Sequence, residues 1–89
     1  MEEITIEELE EVKNYLRVDY EDDDDLIKLM INASKQYVTN GFDTYNKENF
    51  SHKILMLKAV KTLYDNRGEC KNTIEMSIKL QENLGDFNG

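Results

Sequence analysis

The chain has no proline and a single cysteine, and nowhere does it hold an apolar run near the ~18 residues that a membrane-spanning helix needs. Without proline, the stops between elements fall to glycine and asparagine. With Cys70 as the lone thiol no intrachain disulfide can form, which fits a reducing cytoplasm. No basic stretch followed by an apolar segment opens the chain, so neither a secretory leader nor a membrane partner is expected. Internal repeats and low-complexity linkers are missing as well. The 89 residues therefore read as one domain, 1–89. A chain this short buries only ~60% of its unfolded surface, and further assembly would widen its thin stability margin.

Basic residues are also scarce. The formal net charge is −8, and it is unevenly spread. Residues 1–50 carry fourteen acidic and five basic side chains, net −9, whereas residues 51–89 carry five and six, net +1. Such a surface repels phosphate backbones, which argues against sequence-specific nucleic-acid binding. An acidic half and a half bearing Lys53, Lys58 and Lys61 can instead complement each other between neighbouring copies, although a plainly solvated acidic surface accounts for the same pattern.

What is present is helical periodicity, and it predicts an all-α bundle of about four helices. Thr5-Ile6-Glu7-Glu8 is a capping box in which Thr5 accepts from the Glu8 amide and the Glu8 side chain reaches back to the Thr5 amide. Ile4 and Leu9 hold the staple positions, and Ile6, Leu9, Val12 and Leu16 form one stripe of a helix over 6–16. Asp22-Asp23-Asp24-Asp25 offers cap oxygens, with charge that suits the positive end of a helix dipole. The second helix, 23–39, combines a broad apolar arc with a polar stripe of Lys28, Asn32, Lys35 and Gln36, and stops at Asn40-Gly41. Phe42 to Asn49 reads as a polar loop. A third helix, 50–67, is apolar over more than half its circumference, the mark of a central helix or of one that also meets another subunit; Gly68 ends it. The last segment is ambiguous. Asn72-Thr73-Ile74-Glu75 resembles a cap for a helix over 73–84 closed by Gly85, yet Ile74, Met76, Ile78 and Leu80 alternate with polar residues as in a half-buried strand. A lone strand has no partner in the chain, so helix is the expectation, and an extended segment requires a neighbouring copy.

The parts of an active site are missing. An EF-hand loop needs Gly at position 6 and Glu at position 12. A loop starting at Asp19 has Asp24 and Met30 there, and one starting at Asp22 has Leu26 at position 5. His52 and Cys70, the one nucleophile–base combination, stand at opposite ends of the third helix, about 25 Å apart. His52 is expected exposed in a first turn and Cys70 to be an incidental loop thiol. There is no phosphate-cradling glycine loop and no His/Cys metal spacing, so neither a cofactor nor a metal is expected. Arg67 projects onto the apolar arc of the third helix. It either snorkels into water at the helix end or pairs bidentately with Asp19 or a neighbour's carboxylate.

Several blocks resemble the small head–tail connector (adaptor) proteins of tailed bacteriophages and prophages. They are Ile4-Thr5-Ile6-Glu7-Glu8-Leu9, Tyr15-Leu16-Arg17-Val18-Asp19, Asp24-Asp25-Leu26-Ile27 with Ala33 and Tyr37-Val38, then Ala59-Val60 and Leu63-Tyr64-Asp65-Asn66-Arg67-Gly68. They cover roughly 4–38 and 54–68. The chain departs from the pattern between Gly41 and Phe50, where the family often has a longer, proline-containing connection, and again after Gly68. The resemblance implies a structural, non-enzymatic subunit that forms a homo-oligomeric ring between the portal protein and tail-completion proteins once DNA is packaged. It would be found at the virion head–tail joint, and in the bacterial cytoplasm during assembly or when expressed from a prophage. On this reading Asp22, Asp23, Asp24, Asp25, Lys58, Lys61 and Arg67 are candidates for the subunit interface. A small acidic regulator or inhibitor binding a host or phage protein remains the alternative.

Overall fold

A computed structural model describes residues 4–39 and 45–84, and over these the chain is an all-α bundle of four helices. They are α1 (Ile6–Leu16), α2 (Asp24–Thr39), α3 (Phe50–Asp65) and α4 (Thr73–Leu84), with a 3-10 turn at Arg67–Glu69. No strand occurs among the described residues. The expected stops at Asn40-Gly41 and Gly85, and the residues Phe42 to Thr44 of the expected loop, lie outside them.

The helix starts follow their caps. The Glu8 amide donates to Thr5 Oγ1 at 3.2 Å, Asn49 Oδ1 accepts from Ser51 and His52, and Asn72 Oδ1 accepts from Glu75 at 2.9 Å. Only half of the α1 capping box forms, because the Glu8 carboxylate turns inward to Lys35 instead of back to the Thr5 amide. α1 closes on Arg17, which takes the left-handed conformation (φ 63°) and donates its amide to Asn14. α3 stops two residues short of the expected Arg67. The amide and side chain of Asn66 both bond to the Thr62 carbonyl, and the chain tightens into the 3-10 turn.

α2 and α3 form the central pair. α4 lies across both, and α1 packs on α3 and more lightly on α2. This seats both wide-arced helices among several neighbours. The core comprises Val12, Ile27, Met30, Ile31, Met56, Ala59, Val60, Leu63, Met76 and Leu80, all essentially closed to solvent. Cys70 belongs to it too, fully buried, so it is a core residue rather than the incidental loop thiol the sequence implied. Ile6 departs from expectation in the other direction. As the first residue of α1 it points away from the core and is exposed.

Two residues of α4 turn a side chain through about 200°, so alternating apolar positions fall on opposite faces of a helix. Met76 and Leu80 face inward; Ile74 and Ile78 face out. The pattern that reads as a half-buried strand is thus a helix with two apolar faces.

Candidate assembly surfaces

The acidic run joins α1 to α2, and its members divide into two pairs. Asp23 and Asp24 are half-buried and have partners within the chain; Asp22 and Asp25 are exposed. Asp23 Oδ2 accepts from the Tyr64 hydroxyl at 2.8 Å. Because that proton is committed to Asp23, the Tyr20 hydroxyl, 2.8 Å from the Tyr64 oxygen, is the donor between the two tyrosines. Burial, then the bonds to Tyr20 and Asp23, push the Tyr64 phenol far above its ordinary range. The Lys13 ammonium lies 2.7 Å from Asp24 Oδ1, an ion pair whose angles fall short of a directed hydrogen bond. Asp23 and Asp24 therefore fasten the α1–α2 corner to α3 and α1, a role invisible in a run of four identical residues.

This division changes what neutralising the run should do. Tyr64→Phe removes the donor to Asp23 and the acceptor of Tyr20, and should cost about 1–2 kcal/mol. Asp22→Asn with Asp25→Asn should stay within about 0.5 kcal/mol of the parent. Urea denaturation followed by circular dichroism separates the two, and equal midpoint losses would deny that the run is divided in this way.

Of the basic candidates, Lys61 bonds Asp65 one turn along α3 at 3.2 Å, whereas Lys58 is exposed and has no ion pair among the described residues. Arg67 does not pair with Asp19. Its guanidinium lies 4.3 Å from the centroid of the Tyr64 ring and donates to the Tyr64 carbonyl at 2.9 Å. The short 3-10 turn folds it back onto its own helix. The structure brings Tyr64, Asp23 and Arg67 to one corner and leaves Lys58 and Lys61 on the outer side of α3.

The sequence reading missed a second polar cluster. Lys35, assigned above to the polar stripe of the second helix, is buried, with its ammonium 2.8 Å from Glu8 Oε1 and 4.9 Å from the centroid of the Tyr45 ring. Lys53 pairs with Glu11 beside it. These residues and Met56 line an open cleft of about 940 Å³ between α1, α2 and α3. Burial, followed by the charges of Glu8 and Glu11, pushes the Tyr45 phenol up to about 12. His52 stacks on Tyr45 at 5.7 Å and accepts the Asn46 amide on Nδ1, so it is half-buried rather than fully exposed, with a ring nitrogen already engaged. Two acid–base pairs, Glu8 with Lys35 and Glu11 with Lys53, thus face the cleft. No signal within the chain's periodicity joins Glu8 to Lys35, because the pair depends on how two helices meet.

Among the described residues no group of three or more His, Cys, Asp or Glu side chains could hold a metal ion, and no helix is long and apolar enough to cross a membrane. Several large apolar side chains also stay in solvent: Ile6 and Tyr15 on α1, Tyr20 in the turn after it, Leu29 on α2, Phe50 and Ile54 on α3, and Ile74 and Ile78 on α4, the α3 and α4 pairs each standing one helical turn apart. The model of one protein family, described as phage gp6-like head-tail connector protein, matches residues 6–89. The chain belongs to that family. The match runs through the segment after Gly68, where the residue blocks alone carried no resemblance. No curated protein and no solved structure matches. Membership makes the connector a structural component of the virion that meets other head and tail proteins, and the family is not an enzyme family.

Proposed function

We propose that the connector is one subunit of a ring that sits between the portal and the tail after DNA packaging, assembled in the bacterial cytoplasm. The observation that carries this is the set of apolar side chains that one copy leaves in water on two different helices, Phe50 and Ile54 on α3 and Ile74 and Ile78 on α4. A contact between unlike surfaces of identical chains closes into a ring when the rotation permits, and a thin single-chain margin gains from it. The portal and tail-completion proteins are its partners on either side. The exposed Asp22 and Asp25 belong on the channel wall or at a subunit seam; on the wall they would keep passing DNA from sticking.

Deleting the gene from its phage or prophage should yield DNA-filled heads without tails, visible by electron microscopy. Adding the purified protein to those heads together with tails should restore joined particles. Normal joining in its absence would overturn the proposal.

A further inference from the structure

The outward apolar pairs of α3 and α4 are exposed to similar extents: Phe50 at 74% and Ile54 at 40%, Ile74 at 72% and Ile78 at 52%. Each is followed one turn later by a charged residue, and the two charges are opposite. Phe50, Ile54 and Lys58 stand at i, i+4 and i+8 on α3; Ile74, Ile78 and Glu82 stand at the same intervals on α4. Residues so spaced form one ridge of a helix, here about 12 Å long. Both ridges therefore read apolar, apolar, charged in the same direction, with Lys58 closing one and Glu82 the other.

Within one copy these ridges do not cover each other, since all four apolar side chains remain in solvent. Among the described residues Lys58 has no ion pair, and Glu82, whose side chain is 60% exposed, pairs only with Lys79 at 3.4 Å. We infer that α4 of one copy lies on α3 of the next, running in the same direction, with Ile74 on Phe50, Ile78 on Ile54 and Glu82 on Lys58. This rests on the ring reading and names the contact that would build the ring. A second copy is the occupant because the charges complement each other only when the two ridges are paired with each other in parallel. Two α3 ridges in the same register would oppose Lys58 to Lys58, and two α4 ridges would oppose Glu82 to Glu82. Ridges of i+4 type run parallel when helix axes cross at about 50°, so all three pairs can meet at once. The contact joins unlike surfaces, leaving a free α3 ridge at one end of any open chain of copies and a free α4 ridge at the other.

Charge exchange tests this. Lys58→Glu and Glu82→Lys should each weaken self-association about tenfold or more in sedimentation velocity, because each sets like charges together. The double variant should return to within about threefold of the parent. Ile78→Gln should weaken association at least as much while leaving helicity and the urea midpoint intact. If the parent assembles and the single reversals assemble as well as it does, or the double variant stays as weak as the singles, the contact is wrong and the ring reading stands. A parent that stays monomeric up to millimolar concentration overturns the contact, and the head–tail joining assay then decides the ring reading on its own. Reversals that spare self-association but abolish joining would assign the ridges to a head or tail protein and likewise overturn the inference.

Discussion

Leu80→Ala should lower the urea midpoint by about 2–5 M, whereas Ile78→Ala, two residues away on the same helix, should leave it nearly unchanged. Leu80 is fully buried and Ile78 is half exposed. Truncating a buried leucine costs about 2–5 kcal/mol, and a domain of this size has about 4–13 kcal/mol in all. With a slope near 1 kcal/mol per molar urea, the loss becomes the stated shift. Surface truncations stay within about 0.5 kcal/mol. The comparison also separates the two readings of the α4 sequence. In a strand, Ile74, Met76, Ile78 and Leu80 share one face, so Ile78→Ala and Leu80→Ala would cost alike. A several-fold difference between them is what a helix requires.

Glu8→Ala should be similarly damaging, at about 3 kcal/mol or more. The side chains of Lys35 and Glu8 are 10% and 16% exposed, and removing the carboxylate leaves a buried ammonium against the Tyr45 ring with no ion-pair partner among the described residues. Lys35→Met should cost much less. The freed Glu8 can then swing back to the Thr5 amide and complete the capping box that the ion pair interrupts. The double variant Glu8→Leu/Lys35→Met should lie near the parent, because well-packed apolar replacements avoid the desolvation of both charges. Urea midpoints measured at low and at high salt check the ordering; a Glu8→Ala loss under 1 kcal/mol would mean that Lys35 reaches water.

These results would test what the amino-acid order leaves hidden. The helices themselves were legible because their information is local. Thr5, Asn49 and Asn72 mark starts within three residues of the bonds they make, and heptad-like spacing marks the inner faces. The end of α3 was misplaced by two residues because Asn66 bonds back to Thr62 before Gly68 is reached. The polar contacts that fasten helices together were not legible. Glu8 meets Lys35 across 27 residues and Asp23 meets Tyr64 across 41, and only the packing of α1 and α2 on α3 sets those distances. The same holds for the four aspartates, which are alike in sequence and unlike in surroundings. Of the candidate surfaces, Lys58 was visible as a charge on the basic half. Its apolar companions on α3 were visible only as an over-wide arc, and the outward pair on α4 was concealed by the alternation that imitated a strand.

The burial of Cys70 matters after the particle leaves its host. A virion component spends its working life in air-saturated surroundings with no cellular reductant to repair it. An exposed thiol on such a component would in time be oxidised or would form stray disulfides with other proteins. Here the one sulfur of that kind is closed off from solvent, and burial pushes its thiol up, away from the reactive thiolate. The connector is thereby built to age slowly.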